Sequence, residues 1–381
     1  MVNIRTNKKN SRSGLASYGH QSINASDINS VVGILESAWL TQGPKVKDFE
    51  EKLAKYCGAK YAVAVNSGTA ALHIAYLAAG IKAGDEVITT PNTFVATSNM
   101  ILALRAKPVF CDIKLDTYNI DNKKIEKLIT KKTKAIVPVD FAGHPCDMEA
   151  INKIAKKHKL IVIEDACHAL GASYKNKKTG SLAHMTVFSF HPVKHITTGE
   201  GGAVLTNNPE YYERLKMFRS HGIIKDKNGF NSMIELGFNY RMSDIGAALG
   251  VSQLKRLDSF VKKRQALVNV YIKNLKEVKD IILPVGQVTL SSWHLFVIRL
   301  KNLDRRVALM DYLKKAGIGS MIHYPAVYSH PYYRNNGYQK LLLPNEDIYQ
   351  KSCLTLPLHP ELSESDILYT CSIVKKFFNY A

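Results

Sequence analysis

The hydrophobic pattern of the chain alternates between two kinds of segment. Short, almost continuously apolar runs predict strands at 61–66, 86–90, 108–113, 135–141, 160–166, 186–190 and 202–207. Segments with helical spacing precede or separate them, at 25–56, 68–80, 94–106, 125–132 and 147–159. Strands without a polar face that alternate with helices are typical of a parallel sheet covered by helices on both sides. We therefore predict an α/β fold with a mostly parallel sheet flanked by helices.

The pattern changes at both ends of this region. Residues 1–16 are polar and basic, and we expect them to form a flexible tail. A long helical stretch at 242–278 leads away from the sheet region. After it come an apolar run, a helix-like segment and a run rich in Tyr, His and Pro, which together predict a smaller α+β unit. We therefore expect a large domain at 17–255, and a linking helix with a small C-terminal α+β domain at 256–381.

The charge balance favours anionic partners. Lys and Arg number 52 against 32 Asp and Glu, a formal net charge of +20, which would attract nucleic acid, an anionic membrane surface or a phosphorylated small molecule. However, the chain has no recognisable nucleic-acid-binding motif, and its lysines cluster on helix-like segments whose solvated faces explain them. It also has no run of about 20 apolar residues. We expect neither nucleic acid nor membrane among its partners.

The cysteines and the N-terminus indicate a compartment. The six cysteines are scattered, without a Cys-x-x-Cys pair, and several lie in apolar runs such as PVFCDI. This favours reduced, buried thiols over a disulfide framework or a zinc site. The first twenty residues contain no apolar core of a secretory signal. We therefore expect a cytoplasmic protein that holds no metal.

Candidate chemistry lies where strands end, because ligands of open α/β sheets bind beyond the carboxyl ends of the strands. In VNSGTAAL (65–72) a strand runs into Ser-Gly-Thr and then a helix, whose free N–H groups form an anion site. Gly68 would allow a phosphate to approach the backbone closely. The spacing matches neither a dinucleotide fingerprint nor a P-loop. An ordinary capped strand-to-helix turn is the alternative.

A second strand end, IVIEDACHALG (161–171), carries two carboxylates. An unpaired charge there would be costly, so Asp165 must be solvated, paired or functional. It could face a positively charged ring nitrogen, with His168 near the same ligand. Capping of a following helix is the alternative.

The third strand end is TVFSFHPVKHITTGEGG (186–202), where Lys194 follows an apolar run. A buried lysine loses proton affinity and becomes nucleophilic, whereas most loop lysines are simply surface charges. Histidines nearby lack Cys or carboxylate partners at metal-ligand spacing. A pyridoxal phosphate site requires three functions, which these strand ends could supply together: a phosphate-type turn, a strand-end Asp, and Ser189 with Lys194.

Ordered motifs from residue 18 to about residue 362 resemble the DegT/StrS family of sugar aminotransferases, which have the fold-type-I pyridoxal phosphate architecture. They are YGHQSI, WLTQGPKVKDFE, NSGTAAL, TPNTFVAT, EDACHALGA, FSFHPVKHITTGEGG, RSHGI and FNYRMSDIGAALG. YGHQSI, WLTQGP and HPVKHITTGEGG are most similar to the members of pseudaminic acid synthesis that act on a UDP-linked 4-keto-6-deoxy-N-acetylhexosamine. The resemblance implies an aminotransferase with L-glutamate as donor.

The resemblance also implies roles for individual residues. Lys194 would form the Schiff base with pyridoxal 5'-phosphate and shuttle a proton, through a pyridoxamine 5'-phosphate form. Asp165 would pair with the pyridine nitrogen. His168, where many relatives have Gln, would lie near the ring hydroxyl, and Phe94 would stack on the ring. Matches on the phosphate side are Gly68, Thr69 and Ser189, together with Asn239 from the other subunit of a homodimer.

Substrate-side positions are implied in the same way. They are Tyr18, Ala38, Trp39, Leu40, Thr41, His323 and Tyr324. Arg241 would contact an anion or, alternatively, form a structural salt bridge. Within the family, an enzyme for another 4-keto sugar nucleotide, of the perosamine or bacillosamine type, is the main alternative. A basic DNA-binding regulator would explain the charge but not the Asp165, Ser189 and Lys194 series.

Overall fold

A computed structural model describes residues 17–285 and 291–380. The expected tail at 1–16 lies outside the described residues. The α-helices are α1 (Ala25–Leu35), α2 (Pro44–Cys57), α3 (Gly68–Ala78), α4 (Ala96–Ala103), α5 (Asn122–Ile125), α6 (Met148–His158), α7 (Pro209–Arg219), α8 (Asp244–Leu254), α9 (Leu257–Leu275), α10 (Arg305–Lys315), α11 (Pro331–Tyr333), α12 (Pro344–Ser352) and α13 (Glu364–Phe377). Within the described ranges, no helix is both long and apolar enough to cross a membrane.

The strands form one large sheet and several small ones. They are β1 (Tyr61–Val65), β2 (Glu86–Thr89), β3 (Lys107–Phe110), β4 (Thr133–Val137), β5 (Ile161–Asp165), β6 (Ser173–Tyr174), β7 (Lys177–Lys178), β8 (Met185–Ser189), β9 (Gly202–Thr206), β10 (Ile223–Lys225), β11 (Asn231–Met233), β12 (Ile281–Ile282), β13 (Phe296–Leu300) and β14 (Cys353–Leu356). The seven-stranded sheet has the order β1-β9-β8-β5-β4-β2-β3.

The large sheet is mostly parallel, as predicted. Strands β3, β2, β4, β5 and β8 pair in parallel, and β9 runs antiparallel to both β8 and β1. Strand β1 therefore points the same way as the parallel strands. The carboxyl ends of β1, β2, β4, β5 and β8 consequently meet at one edge of the sheet, where a ligand of an α/β protein is expected.

Helices cover both faces of this sheet because successive strand side chains point to opposite sides. Val187 packs into a core formed with α3, α4 and α7, whereas its neighbour Phe188 packs into a second core with α2, α8 and α9. A third core joins the end of α9 to α10, α13 and the antiparallel sheet β12-β13-β14. The division into domains at residue 255 stays a prediction.

Three of the predicted helical stretches differ in extent from the helices of the structure. The stretch 25–56 contains two helices, α1 and α2. The segment 125–132 contains only the end of α5 and a 3₁₀ turn at Glu126–Leu128. Thr130 is drawn away from helical geometry because its hydroxyl donates to Glu86 at 2.6 Å and its N–H donates to Thr133 Oγ1 at 2.9 Å. The stretch 242–278 is split into α8 and α9. Arg256, at the break, donates to Ser22 O at 3.1 Å.

Candidate active site

Lys194 lies in the loop that joins β8 to β9, at the carboxyl edge of the sheet. The loop is fixed by backbone hydrogen bonds from Lys194 N to His191 O (2.9 Å) and from Thr198 N to Phe190 O (3.1 Å). Burial lowers the pKa of Lys194, although Cys167 and Asp165 nearby oppose the shift. Among the described residues, the amine has no hydrogen-bond or ion-pair partner. A larger share of this amine is therefore uncharged than of a surface lysine.

Asp165 is the last residue of β5 and is almost fully buried, with 4% exposure. Its Oδ2 accepts a hydrogen bond from Thr97 Oγ1 at 2.7 Å, and its Oδ1 accepts from Cys167 N at 3.2 Å. A turn, not a helix, follows Asp165, so helix capping does not explain the residue. Within the described chain, no cation lies within ion-pair distance of this carboxylate.

His168 is buried and hydrogen bonded through both ring nitrogens. The N–H of Ala142 donates to Nδ1 at 3.4 Å, so the ring proton is on Nε2, which donates to Tyr324 Oη at 3.2 Å. Burial, reinforced by Lys194, lowers the pKa of His168 well below its usual range. The imidazole is therefore neutral at neutral pH, and its N–H orients the Tyr324 hydroxyl.

The predicted phosphate-side residues come together at the ends of β1 and β8. Gly68 and Thr69 open α3, whose first N–H groups have no partner within the helix. A Cβ atom at Gly68 would lie 2.9 Å from Ser189 Cβ, so only glycine permits this approach. Gly202 at the start of β9 is required for the same reason, since its Cβ would lie 2.5 Å from Ser67 O.

Phe94, Tyr18, His323 and Tyr324 lie around the same edge. The ring of Phe94 is 59% exposed and its centroid lies 6.3 Å from that of Tyr324. The rings of Tyr18 and His323 are 4.9 Å apart, and His323 Nδ1 is 2.9 Å from Thr355 Oγ1. Burial, with a contribution from Lys194, lowers the pKa of His323 to about 3. These rings form a neutral, largely aromatic wall near Lys194.

The segment Ala38–Thr41 and Arg241 lie together at a different corner. Thr41 bridges to Ser243, and Leu40 O accepts from Asp244 N at 3.0 Å. Arg241 bridges to Val65 at the end of β1, and within the described chain no carboxylate lies within ion-pair distance of it. The salt-bridge alternative for Arg241 therefore finds no support. No described hydrogen bond or ring contact joins this corner to Lys194.

Asn239 is exposed next to the phosphate-side turn of its own chain. Its backbone oxygen accepts from Asn66 Nδ2 at 3.4 Å, and Tyr240 O accepts from Asn66 N at 2.9 Å. It directly follows the β10–β11 hairpin segment, which exposes several apolar side chains: Ile223, Ile224, Phe230, Met233, Ile234 and Leu236. Several exposed apolar side chains in one segment are typical of an interaction surface.

Sequence reasoning missed residues that hold the site in shape. The hydroxyl of Thr97, in the first turn of α4, donates to Asp165 and also lies 2.8 Å from Thr93 Oγ1 in the loop before the helix. The sequence signal for this contact was a pair of threonines, four residues apart, at the start of a helical segment. Ala142, which fixes the His168 tautomer through its backbone, has no side-chain signal at all, and only the fold reveals it.

Comparison with known proteins identifies the class. Residues 21–375 match the model of the DegT/DnrJ/EryC1/StrS aminotransferase family. The chain is 43% identical over 362 residues to UDP-4-amino-4,6-dideoxy-N-acetyl-beta-L-altrosamine transaminase of Campylobacter jejuni, covering 92% of this chain and 94% of that protein.

Solved structures agree with this assignment. Helicobacter pylori PseC, an aminotransferase involved in the biosynthesis of pseudoaminic acid, superposes with a TM-score of 0.92 at 36% identity, covering 96% of this chain and 99% of PseC. A putative sugar aminotransferase of Streptococcus pneumoniae in its PLP form gives a TM-score of 0.90 at 32% identity, covering 95% and 98%.

The chain therefore belongs to the DegT/DnrJ/EryC1/StrS aminotransferase family. It is a sugar aminotransferase with the fold of the pyridoxal phosphate-dependent enzymes, and its cofactor is pyridoxal phosphate.

Proposed function

We propose that this enzyme transfers an amino group from L-glutamate to C4 of a UDP-linked 4-keto-6-deoxy-N-acetylhexosamine. The observation that carries the chemistry is that two groups at the same edge of the sheet lack partners within the described chain. They are the amine of Lys194, which has no hydrogen-bond or ion-pair partner, and the buried carboxylate of Asp165, which has no cation. The choice of sugar is supported by the similarity to the altrosamine transaminase and to PseC.

The residues at the carboxyl edge fit the cofactor. Gly68, Thr69 and Ser189 surround a turn that admits no Cβ and presents free N–H groups, which suits a phosphate. Asp165 supplies the carboxylate for a protonated pyridine nitrogen, and Phe94 supplies an exposed ring for stacking. When bound, pyridoxal phosphate withdraws electrons from the carbon that bears the amine.

Lys194 does the proton transfer. Because burial lowers its pKa, the free amine accepts the proton from Cα of L-glutamate and later returns a proton to C4 of the sugar. Asp165 holds the ring nitrogen in its charged form throughout. His168 stays neutral and aims the Tyr324 hydroxyl toward the reacting region.

The substrate is anchored on two sides. His323 and Tyr324 form a neutral wall for the sugar, and Tyr18 packs beside them. Arg241 and the segment Ala38–Thr41 present a positive, exposed corner for the diphosphate. The net charge of +20 attracts this anion over a longer range.

The active enzyme is a homodimer with shared sites. A second subunit would bury the exposed apolar side chains of the hairpin segment, and Asn239 directly follows this segment. Each subunit would thus deliver Asn239 to the phosphate of its partner. Mixing Lys194→Ala with Asn239→Ala subunits tests this arrangement, because a mixed dimer contains one intact site. After random exchange of equal amounts, half of the dimers are mixed and each has one intact site of two, so we expect activity to return toward about a quarter of the wild-type value; no recovery despite exchange of subunits contradicts shared sites.

A substrate panel tests the function itself. Purified enzyme with pyridoxal phosphate and L-glutamate is given the UDP-linked 4-keto-6-deoxy-N-acetylhexosamine or a 4-keto sugar on a different nucleotide, and the amino sugar and 2-oxoglutarate are quantified by mass spectrometry. We expect the UDP sugar to be preferred by at least ~100-fold in kcat/KM, about 2.7 kcal/mol of discrimination. Preference for the other nucleotide would overturn the substrate assignment while leaving the aminotransferase class intact.

A further inference from the structure

Two fully buried carboxyl groups lie behind Asp165, outside the chemistry described above. Glu164 precedes Asp165 on β5 and points to the opposite face of the sheet. Asp140 lies just beyond β4, the neighbouring strand. Both side chains are 0% exposed. In the described chain, neither forms an ion pair with a cation.

Each carboxyl uses only one oxygen for an ordinary hydrogen bond. Asp140 Oδ1 accepts from Cys146 N at 2.8 Å, and Glu164 Oε2 accepts from Thr186 Oγ1 at 2.9 Å. The other two oxygens, Asp140 Oδ2 and Glu164 Oε1, are buried and receive no amide or hydroxyl donor. Two such oxygens are costly to bury separately. The two side chains lie within hydrogen-bond reach of each other, so one proton between them would satisfy both.

The pair is connected to both groups of the site that face the cofactor. Asp140 N donates to Asp165 O at 3.0 Å, so Asp140 is joined to the end of β5. Asp140 also starts the 3₁₀ turn Phe141–Gly143, and Ala142 N in that turn donates to His168 Nδ1 at 3.4 Å. A shift of Asp140 would therefore displace the Asp165 carboxylate and release the imidazole.

We propose that Asp140 and Glu164 share one proton and act as positioning residues that hold Asp165 and His168 in place. The carboxylic acid of Glu164 donates to the carboxylate of Asp140. The pair then carries a single negative charge behind Asp165, on the side away from the cofactor.

The surroundings agree with one retained proton. Burial raises the pKa of Asp140 to about 7 and that of Glu164 well above its usual range. The titratable groups that face the pair are Asp165, the thiol of Cys146 and, from α2, the thiol of Cys57. Lys114 and Lys178 affect the pKa of these thiols but contribute to the pKa of neither carboxyl.

Infrared spectroscopy of the protein without cofactor tests the shared proton. Glu164→Gln keeps a donor to Asp140 but needs no proton, whereas Asp140→Asn removes the acceptor carboxylate and leaves Glu164 buried. At pH 7 we expect Glu164→Gln to lose one protonated-carboxyl band of the wild type, and Asp140→Asn to shift that same band to a different frequency. No band lost in Glu164→Gln, or no shift of that band in Asp140→Asn, overturns the proposal. This result does not depend on the proposed function.

Melting temperature against pH provides a second test. The raised pKa values mean that the folded wild type binds more protons than the unfolded chain, so its stability falls as pH rises from about 4 through about 7. Glu164→Gln removes the share of this loss that comes from Glu164, whereas Asp140 keeps its own share. We expect its Tm, relative to wild type, to rise by ~5 °C between pH 5 and pH 8.5. A difference that does not change with pH would mean an ordinary hydrogen bond.

The positioning role rests on the proposed function, and its test uses the holoenzyme. Glu164→Leu leaves Asp140 unpaired, and we expect kcat to fall ~10-fold while KM for L-glutamate stays within twofold. Glu164→Gln should restore kcat. The matched control is Glu346→Leu, because Glu346 is equally buried but lies beside Asp112. An equal loss of kcat in the control, or no rescue by Gln, overturns the positioning role.

Discussion

Two buried aspartates of the large sheet, Asp112 and Asp165, have opposite surroundings. Both lie at the carboxyl ends of parallel strands, and their exposures are 3% and 4%. Asp112 accepts hydrogen bonds from Ile113 N (2.9 Å), Glu346 N (3.0 Å) and the ammonium of Lys124 (2.7 Å). Asp165 accepts from one hydroxyl and one amide, and no cation of the described chain pairs with it.

The lysines differ in the same way. A hydrogen bond from Lys124 to Asp112 raises the pKa of that lysine, whereas burial lowers the pKa of Lys194. At Asp112 the fold supplies the counter-charge, so the site is complete and structural. At Asp165 no cation of the described chain fills this role, and in our proposal the pyridine nitrogen of the cofactor does.

The largest effect is expected from the two lysines. Lys194→Ala should lower kcat for amino transfer by more than ~1,000-fold, because it removes both the nucleophile and the proton carrier. Lys124→Ala should leave kcat within twofold, since this lysine is part-exposed and serves Asp112. Steady-state rates with L-glutamate and the UDP sugar measure both. Similar losses in the two variants would break the comparison.

The aspartates should separate activity from stability. Asp165→Asn should lower kcat by ~100-fold or more, because an amide cannot hold the ring nitrogen in its charged form. Asp112→Asn should leave kcat near wild type but cost about 1–3 kcal/mol in the free energy of unfolding, through weakened buried hydrogen bonds. Urea denaturation and kinetics on the same preparations check this. A stable, inactive Asp112→Asn enzyme would contradict it.

Thr97 sharpens the comparison at a smaller scale. Thr97→Val removes the 2.7 Å donor to Asp165, and we expect a ~10-fold lower kcat with KM for L-glutamate little changed. Thr89→Val is the matched control, because Thr89 is also buried in the sheet region but donates to Val137 O at 2.8 Å. The control should lose stability alone. Equal kinetic effects would show that Thr97 acts only through folding.

The buried imidazoles predict a weaker, pH-dependent effect. Burial lowers the pKa of His323 to about 3, of His359 to about 4, and of His294 well below its usual range. An unfolded histidine titrates near 6.5, so each one costs stability as pH falls below that value.

His294→Gln checks this pH dependence through melting temperatures. Its Tm relative to wild type should rise by ~2–3 °C between pH 7 and pH 5. The exposed His191 provides the control for loss of an imidazole, through a His191→Gln variant measured alongside. A difference for His294→Gln that does not change with pH would contradict the buried, neutral state.

The sequence could predict the sheet and the chemistry but not the supporting contacts. Apolar runs revealed the strands of the large sheet, and the motifs around Asp165 and Lys194 revealed the cofactor class. Arg256, which follows the end of α8 at Leu254, donates to Ser22 O, more than 200 residues away in sequence. The contact of Thr97 with Asp165 likewise joins residues that are distant in sequence. Local patterns carry no information about such contacts.

The visible absorbance of the pyridoxal phosphate-loaded enzyme tests the central claim most directly. We predict that the band of the bound cofactor disappears when L-glutamate is added and returns when the UDP-linked 4-keto sugar follows. Lys194→Ala should show neither change, and Lys124→Ala should show both. A band that does not respond to L-glutamate in the wild type, or a response that persists in Lys194→Ala, would contradict the account.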